Sequence, residues 1–203
     1  MGDRTPIEVR VYSCPPEKVD QVLEVFEEFG LGNEFILPGE PRNAFDNSEV
    51  SLELGRGYIR SEISVGSSHE IAAALPSEAA WKVWEDPAYD HLGQVHLNHP
   101  DLGEFVADCD AQGNPMWTSD DVDRLVERTD GDRVQLGHLT GRTWEIAFGP
   151  LYEVNKGIIL PRDPGAGSVP LQAAALNQVA AGPPRWMPED APGQARADPS
   201  PDR

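Results

Sequence analysis

Basic residues are scarce in this chain of 203 residues: 16 lysines and arginines stand against 35 aspartates and glutamates, a net charge of -19. A surface so poor in cations repels phosphate backbones and anionic lipids, which argues against direct nucleic-acid or membrane binding. Cysteine is nearly absent. Cys14 and Cys109 form neither a CxxC nor a zinc-knuckle spacing, so there is no disulfide framework, and a reducing, cytoplasmic setting is expected. No run of 18 apolar residues occurs, and the opening MGDRTPIEV has no apolar signal core. Met1-Gly2 begins like a myristoylation signal, but Pro6 stands where Ser or Thr is required. The chain also lacks a G-x-S-x-G elbow, a P-loop and a G-x-G-x-x-G turn, so the activities that those motifs announce are not indicated and no cofactor is implied.

What the chain has in plenty is carboxylate, unevenly spread. Residues 1–77 hold 14 acids and 6 bases, residues 78–132 hold 14 and 3, and residues 133–203 hold 7 and 7. The excess therefore peaks in the middle. Apolar residues at 39% are ordinary for a globular domain, and the length suffices to bury a core.

Residues 7–14, IEVRVYSC, alternate apolar and polar with the period of a half-buried strand. A helix should follow, with Pro15 and Pro16 at its start and Gly30 at its end, burying Val19, Val22, Leu23, Phe26 and Phe29. Residues 31–48 read as a long loop with a short apolar piece, Phe35-Ile36-Leu37. Residues 50–65 read as a hairpin around Gly55-Arg56-Gly57. Residues 67–75 form a helix capped by Ser67 or Ser68, and after Pro76 a second helix is expected over 77–86. In that helix Trp81 and Trp84 would share a face. Strands are expected at 93–98 and 103–110, with MWT (116–118) continuing after a turn at 111–115. A helix from Thr118 to Thr129 should bury Val122, Leu125 and Val126, and residues 133–148 read as a closing hairpin around Thr140-Gly141-Arg142.

The expected fold is α+β, with small antiparallel or mixed sheets and packed helices. Its N-terminal part, β-α-β-β-α over 1–75, suggests a ferredoxin-like unit. Residues 76–160 would form an acidic α+β half packed on the first as one compact unit. Residues 161–203 hold nine prolines and few large apolar groups, so a disordered tail is expected, with 169–181 able to form a short helix.

Three groups could carry function. HLGQVHLNHPD places His91, His96 and His99 between Asp90 and Asp101, enough imidazole for a transition-metal or enzymatic site, although the spacing matches no zinc pattern. DCDAQGNPMWTSDD (108–121) resembles a calcium loop at Asp108, Asp110, Gln112 and Gly113. Its twelfth position, however, is Ser119 rather than the required Glu, so a strand–turn–strand–helix joint is the better reading. Finally, Glu85, Asp86, Asp90, Asp101, Glu104, Asp108, Asp110, Asp120, Asp121 and Asp123 would make an acidic binding surface; Trp81, Trp84 and Trp117 are core residues by default and aromatic anchors where exposed among those carboxylates. That surface suits a basic protein partner, and its sharpest form is a nucleic-acid mimic that inhibits a DNA-binding protein. The oligomeric state is not legible.

Overall fold

The computed structural model describes residues 3–32 and 51–162. The expected apolar piece at 35–37, most of the expected loop and the expected tail from 163 onward, with its 169–181 helix, lie outside the described residues. Residues 1–166 belong to one unit and 167–203 to another.

The first unit is α+β, organised on a five-stranded sheet. Strand β1 (Arg4–Ser13) runs through a 3-10 turn at Pro16–Lys18 into helix α1 (Val19–Phe29). Gly30 ends α1 in the left-handed conformation, φ 63°, returning its amide to Glu27 and Phe26 carbonyls, as a C-terminal glycine does. Then come β2 (Ser51–Glu53), β3 (Gly57–Ser64), α2 (Ser67–Ala74), β4 (Ala80–Glu85), β5 (Gly93–His99) and β6 (Gly103–Cys109). The sheet order is β3-β1-β4-β5-β6, and every ladder in it is antiparallel. The ferredoxin-like order suggested for residues 1–75 is not confirmed, since β1 lies between β3 and β4 and is antiparallel to both. The sheet draws strands from both the 1–75 and the 76–160 segments.

Both faces of this sheet are buried. One face carries Ile7, Val9 and Val11 of β1 and Trp81 and Val83 of β4, packed with Val19, Val22, Leu23 and Phe26 of α1 and Ile71 of α2. The other carries Tyr12, Trp84, Val95, Leu97 and Cys109, covered by Trp144 and Phe148. The last two belong to helix α5 (Arg142–Asn155), which follows α3 (Ser119–Thr129) and α4 (Arg133–Leu139). Tyr12 stacks on Phe148 with ring centroids 4.5 Å apart, and the buried Asn155 amide donates to the Tyr12 carbonyl at 2.9 Å. A short strand β7 (Ile159–Pro161) then pairs with β2.

Four expectations need correction. Residues 77–86 do not make a helix. They hold β4, whose Trp81 and Trp84, three apart, point to opposite faces as odd spacing in a strand requires. A strand buried on both sides reads as a continuous apolar run, which periodicity cannot separate from a buried helix. Residues 133–148 do not make a hairpin. Asp132 caps α4 by accepting from the Val134 and Gln135 amides, and Gly141 stands at the start of α5, which continues through Gly149-Pro150. Trp144, Phe148, Leu151 and Asn155 recur at helical spacing, and that stripe is what α5 turns towards the sheet. The strands around Gly55-Arg56-Gly57 exist but pair elsewhere, β2 with β7 and β3 with β1. After Cys109 there is no strand at MWT, only an isolated bridge between Cys109 and Pro115.

Trp81 is fully buried, and its indole donates to the Pro76 carbonyl at 3.0 Å. Trp81→Ala should lower the unfolding free energy by about 3–5 kcal/mol, measured by urea denaturation; a loss under about 1 kcal/mol would contradict this placement.

Candidate functional site

The 108–121 segment is built as a joint. Asp110 accepts from the Gln112 amide, the Asn114 amide and the Asn114 side chain, each at 2.9 Å. These donors, the Asn114 side chain first, hold the Asp110 carboxyl below its ordinary range. Gly113 is left-handed, φ 72°, and sits against Trp84, so a Cβ there would come within 2.6 Å of the indole. That position therefore demands glycine twice, for its backbone and for its contact. Next, Thr118 and Asp121 form a capping box at the start of α3. Asp121 also pairs with Arg124 at 2.9 Å, and its carboxyl is held down chiefly by the Thr118 hydroxyl. Asp110 and Asp121 are thus occupied in shaping the chain.

The remaining carboxylates divide by environment. Glu85 is not on the surface. It is buried at the end of β4, where its two oxygens accept from the Gly66 amide at 2.8 Å and the Ser68 amide at 3.1 Å. A strand carboxylate therefore caps α2 at its positive end, in place of the expected Ser67 or Ser68 hydroxyls. Asp86 is half-buried, and burial pushes its carboxyl up. Asp90, Asp101, Glu104, Asp108, Asp120 and Asp123 are exposed. Glu104 and Asp108 flank Val106 on the edge strand β6, on the side away from Phe105 and Ala107. Of the expected anchors, Trp81 and Trp84 are core residues and cannot reach a partner. Trp117 is 36% exposed, beside Phe105.

The three histidines are not gathered. His91 is exposed and 3.7 Å from Asp3, whereas His99 is 3.9 Å from Asp101. His96 faces the other way, buried on the sheet side that α2 covers, with its ring 5.9 Å from that of His69 on α2. Gln94, His96 and Asn98 do share a face, but His96 and Asn98 are interior: Asn98 donates to the Ser77 and Ala79 carbonyls at 3.0 and 2.7 Å. Among the described residues no three His, Cys, Asp or Glu side chains converge as a metal site would. Both cysteines are buried, and burial pushes each thiol up to about 12.

One feature of the surface is not expected from the sequence. Val122 and Val126, assigned above to a buried face of α3, are 44% and 43% exposed; among α3 residues only Thr129 is fully buried, with Leu125 half-covered. Val134 on α4 is also exposed. The capping box at Thr118-x-x-Asp121 marks where α3 starts, but a helix pattern alone cannot say how much of its apolar stripe finds a partner.

Comparison with known proteins finds no matching family model, no matching curated relative and no matching solved structure.

Two outcomes follow. Glu85→Ala should cost about 3 kcal/mol by denaturant unfolding, because the Gly66 amide and the buried Ser68 amide lose their side-chain acceptor, and Glu85→Gln should cost less. For His96, burial first and the nearby His69 second push the imidazole down to about 4 from an ordinary 6.5, with Glu85 opposing. The unfolded chain then binds this proton more readily than the folded one. Stability from this group is complete above about pH 6.5 and falls as pH drops towards 4. His96→Leu should flatten that limb of a Tm-versus-pH curve; an unchanged limb would assign it to other groups.

Proposed function

We propose that this chain is a non-enzymatic accessory protein that acts by contact between its acidic surface and a basic protein. In its finer form the reading is nucleic-acid mimicry: carboxylates on a rigid frame stand in for spaced phosphates and occupy the DNA site of a DNA-binding protein. The observation that carries it is the state of Asp90, Glu104, Asp108, Asp120 and Asp123. All five are exposed, and among the described residues no cationic side chain pairs with any of them. Unpaired carboxylates on a strand and a capped helix keep their spacing, and they repel one another until a cationic surface approaches. The competing reading, a metal-binding module or enzyme built on His91, His96, His99 and nearby aspartates, lacks a single place among the described residues where those groups meet.

The full chain, immobilised and exposed to cell extract, should retain a partner at low salt and release it at high salt, because the contact is between exposed charges. A mimic's partner should also be displaced by competing duplex DNA. Retention insensitive to salt, or no retained partner at all, would overturn the reading; displacement by salt but not by DNA would remove only mimicry.

A further inference from the structure

The open flank of α3 is more specific than a charged surface needs to be. We propose that it is a docking face for the apolar side of a cationic amphipathic helix on a partner protein. The proposal rests on the acidic-contact reading and names the partner's chemistry. Val122 and Val126 stand four residues apart, so they are neighbours on one flank of the helix. Trp117 and Val122 occupy the two positions, before the cap and at the fourth helical residue, that a hydrophobic staple joins around a capping box. The apolar strip therefore extends past the start of α3 to the partly exposed Trp117. Beyond the other end of α3, Val134 on α4 is 55% exposed.

The rim supplies the charge. Asp120, Asp123 and Glu127 are exposed on α3, three and four residues apart, and Asp130 follows at its C-terminal cap. Asp123 and Glu127, like charges at i and i+4, destabilise the helix that carries them, and neither is paired with a cation among the described residues. A partner's lysines or arginines along this rim would relieve that repulsion while its apolar residues cover the valines. An apolar strip with a polar rim is the signature of an interaction site rather than of scattered surface residues. The strip lies on one flank of a helix, a surface that suits the side-chain anchors of a docked helix and not the backbone pairing of an added strand.

The test titrates the full chain with three labelled probes: a lysine–leucine peptide of about five helical turns patterned to be amphipathic, the same composition in scrambled order, and an oligolysine of equal charge. The amphipathic probe should bind at least about tenfold more tightly than the other two. Val122→Ser with Val126→Ser should erase that advantage while leaving oligolysine binding and Tm unchanged. Asp123→Asn with Glu127→Gln should weaken all three probes. Equal binding of the three probes, or an advantage that survives the valine substitutions, would overturn the docking face and leave the acidic-contact reading intact. No binding by any probe at low salt would remove both. Tighter binding after deletion of residues 163–203 would assign the strip to the chain's own C-terminal segment, against the proposal.

Discussion

The structure depends on one constraint: the central sheet must be covered on both faces. β1 sends Ile7, Val9 and Val11 to one side and Tyr12 to the other, and β4 does the same with Trp81 and Trp84. Large aromatic area on both sides of one sheet can be removed from water only by helices above and below, so α1 and α2 close one face and α5 the other. The returning strand β7 then seals β2, whose Leu52 belongs to the first core. Three polar groups inside this arrangement are tied to backbone. Asn155 holds α5 to β1, Asn98 anchors the turn before β4, and Glu85 fastens the start of α2 to the end of β4. Each answers an otherwise unpaired buried amide or carbonyl, which is why such residues tolerate burial.

The same constraint explains where acidity is free to act. Among the middle-segment carboxylates, Glu85 is absorbed by the core, while Asp110, Asp121 and Asp132 hold turns and caps together. The carboxylates that remain exposed and unpaired among the described residues are a smaller set on β6, α3 and the 88–91 turn. Net charge by itself therefore overstates the free acidic surface, since part of it is structural. The unpaired members lie beside apolar groups that did not find a place in either core, and this conjunction of Val122 and Val126 with Asp123 and Glu127 is what turns a charged face into a shaped one.

Much of the architecture was legible where local chemistry is self-sufficient. Alternation in IEVRVYSC, the Gly30 stop, the heptad-like spacing of Val19, Val22, Leu23 and Phe26, and the Thr118 cap each reflect interactions within a few residues, and each stands in the fold. The α3 start and the expected 111–115 turn, where Asp110 accepts from the Asn114 amide and Gly113 is left-handed, belong to the same group. The candidate surface was legible only in part. Asp90, Asp101, Glu104, Asp108, Asp120 and Asp123 are exposed as expected, but Glu85, expected on the acidic surface, is interior, and Trp81 and Trp84 are core residues rather than anchors.

The sequence by itself determined the α+β class, the acidic balance and the short-range punctuation, because those rest on composition, dihedral preference and near-neighbour hydrogen bonds. The tertiary structure alone decided whether AAWKVWE was strand or helix, because a segment buried on two sides has no polar face to betray its period. It also decided that 133–155 folds as two helices, since the stripe from Trp144 to Asn155 gains its meaning only against the sheet it covers. And it left Val122 and Val126 in the open, because an amphipathic pattern states which side of a helix is apolar but not whether anything is packed there.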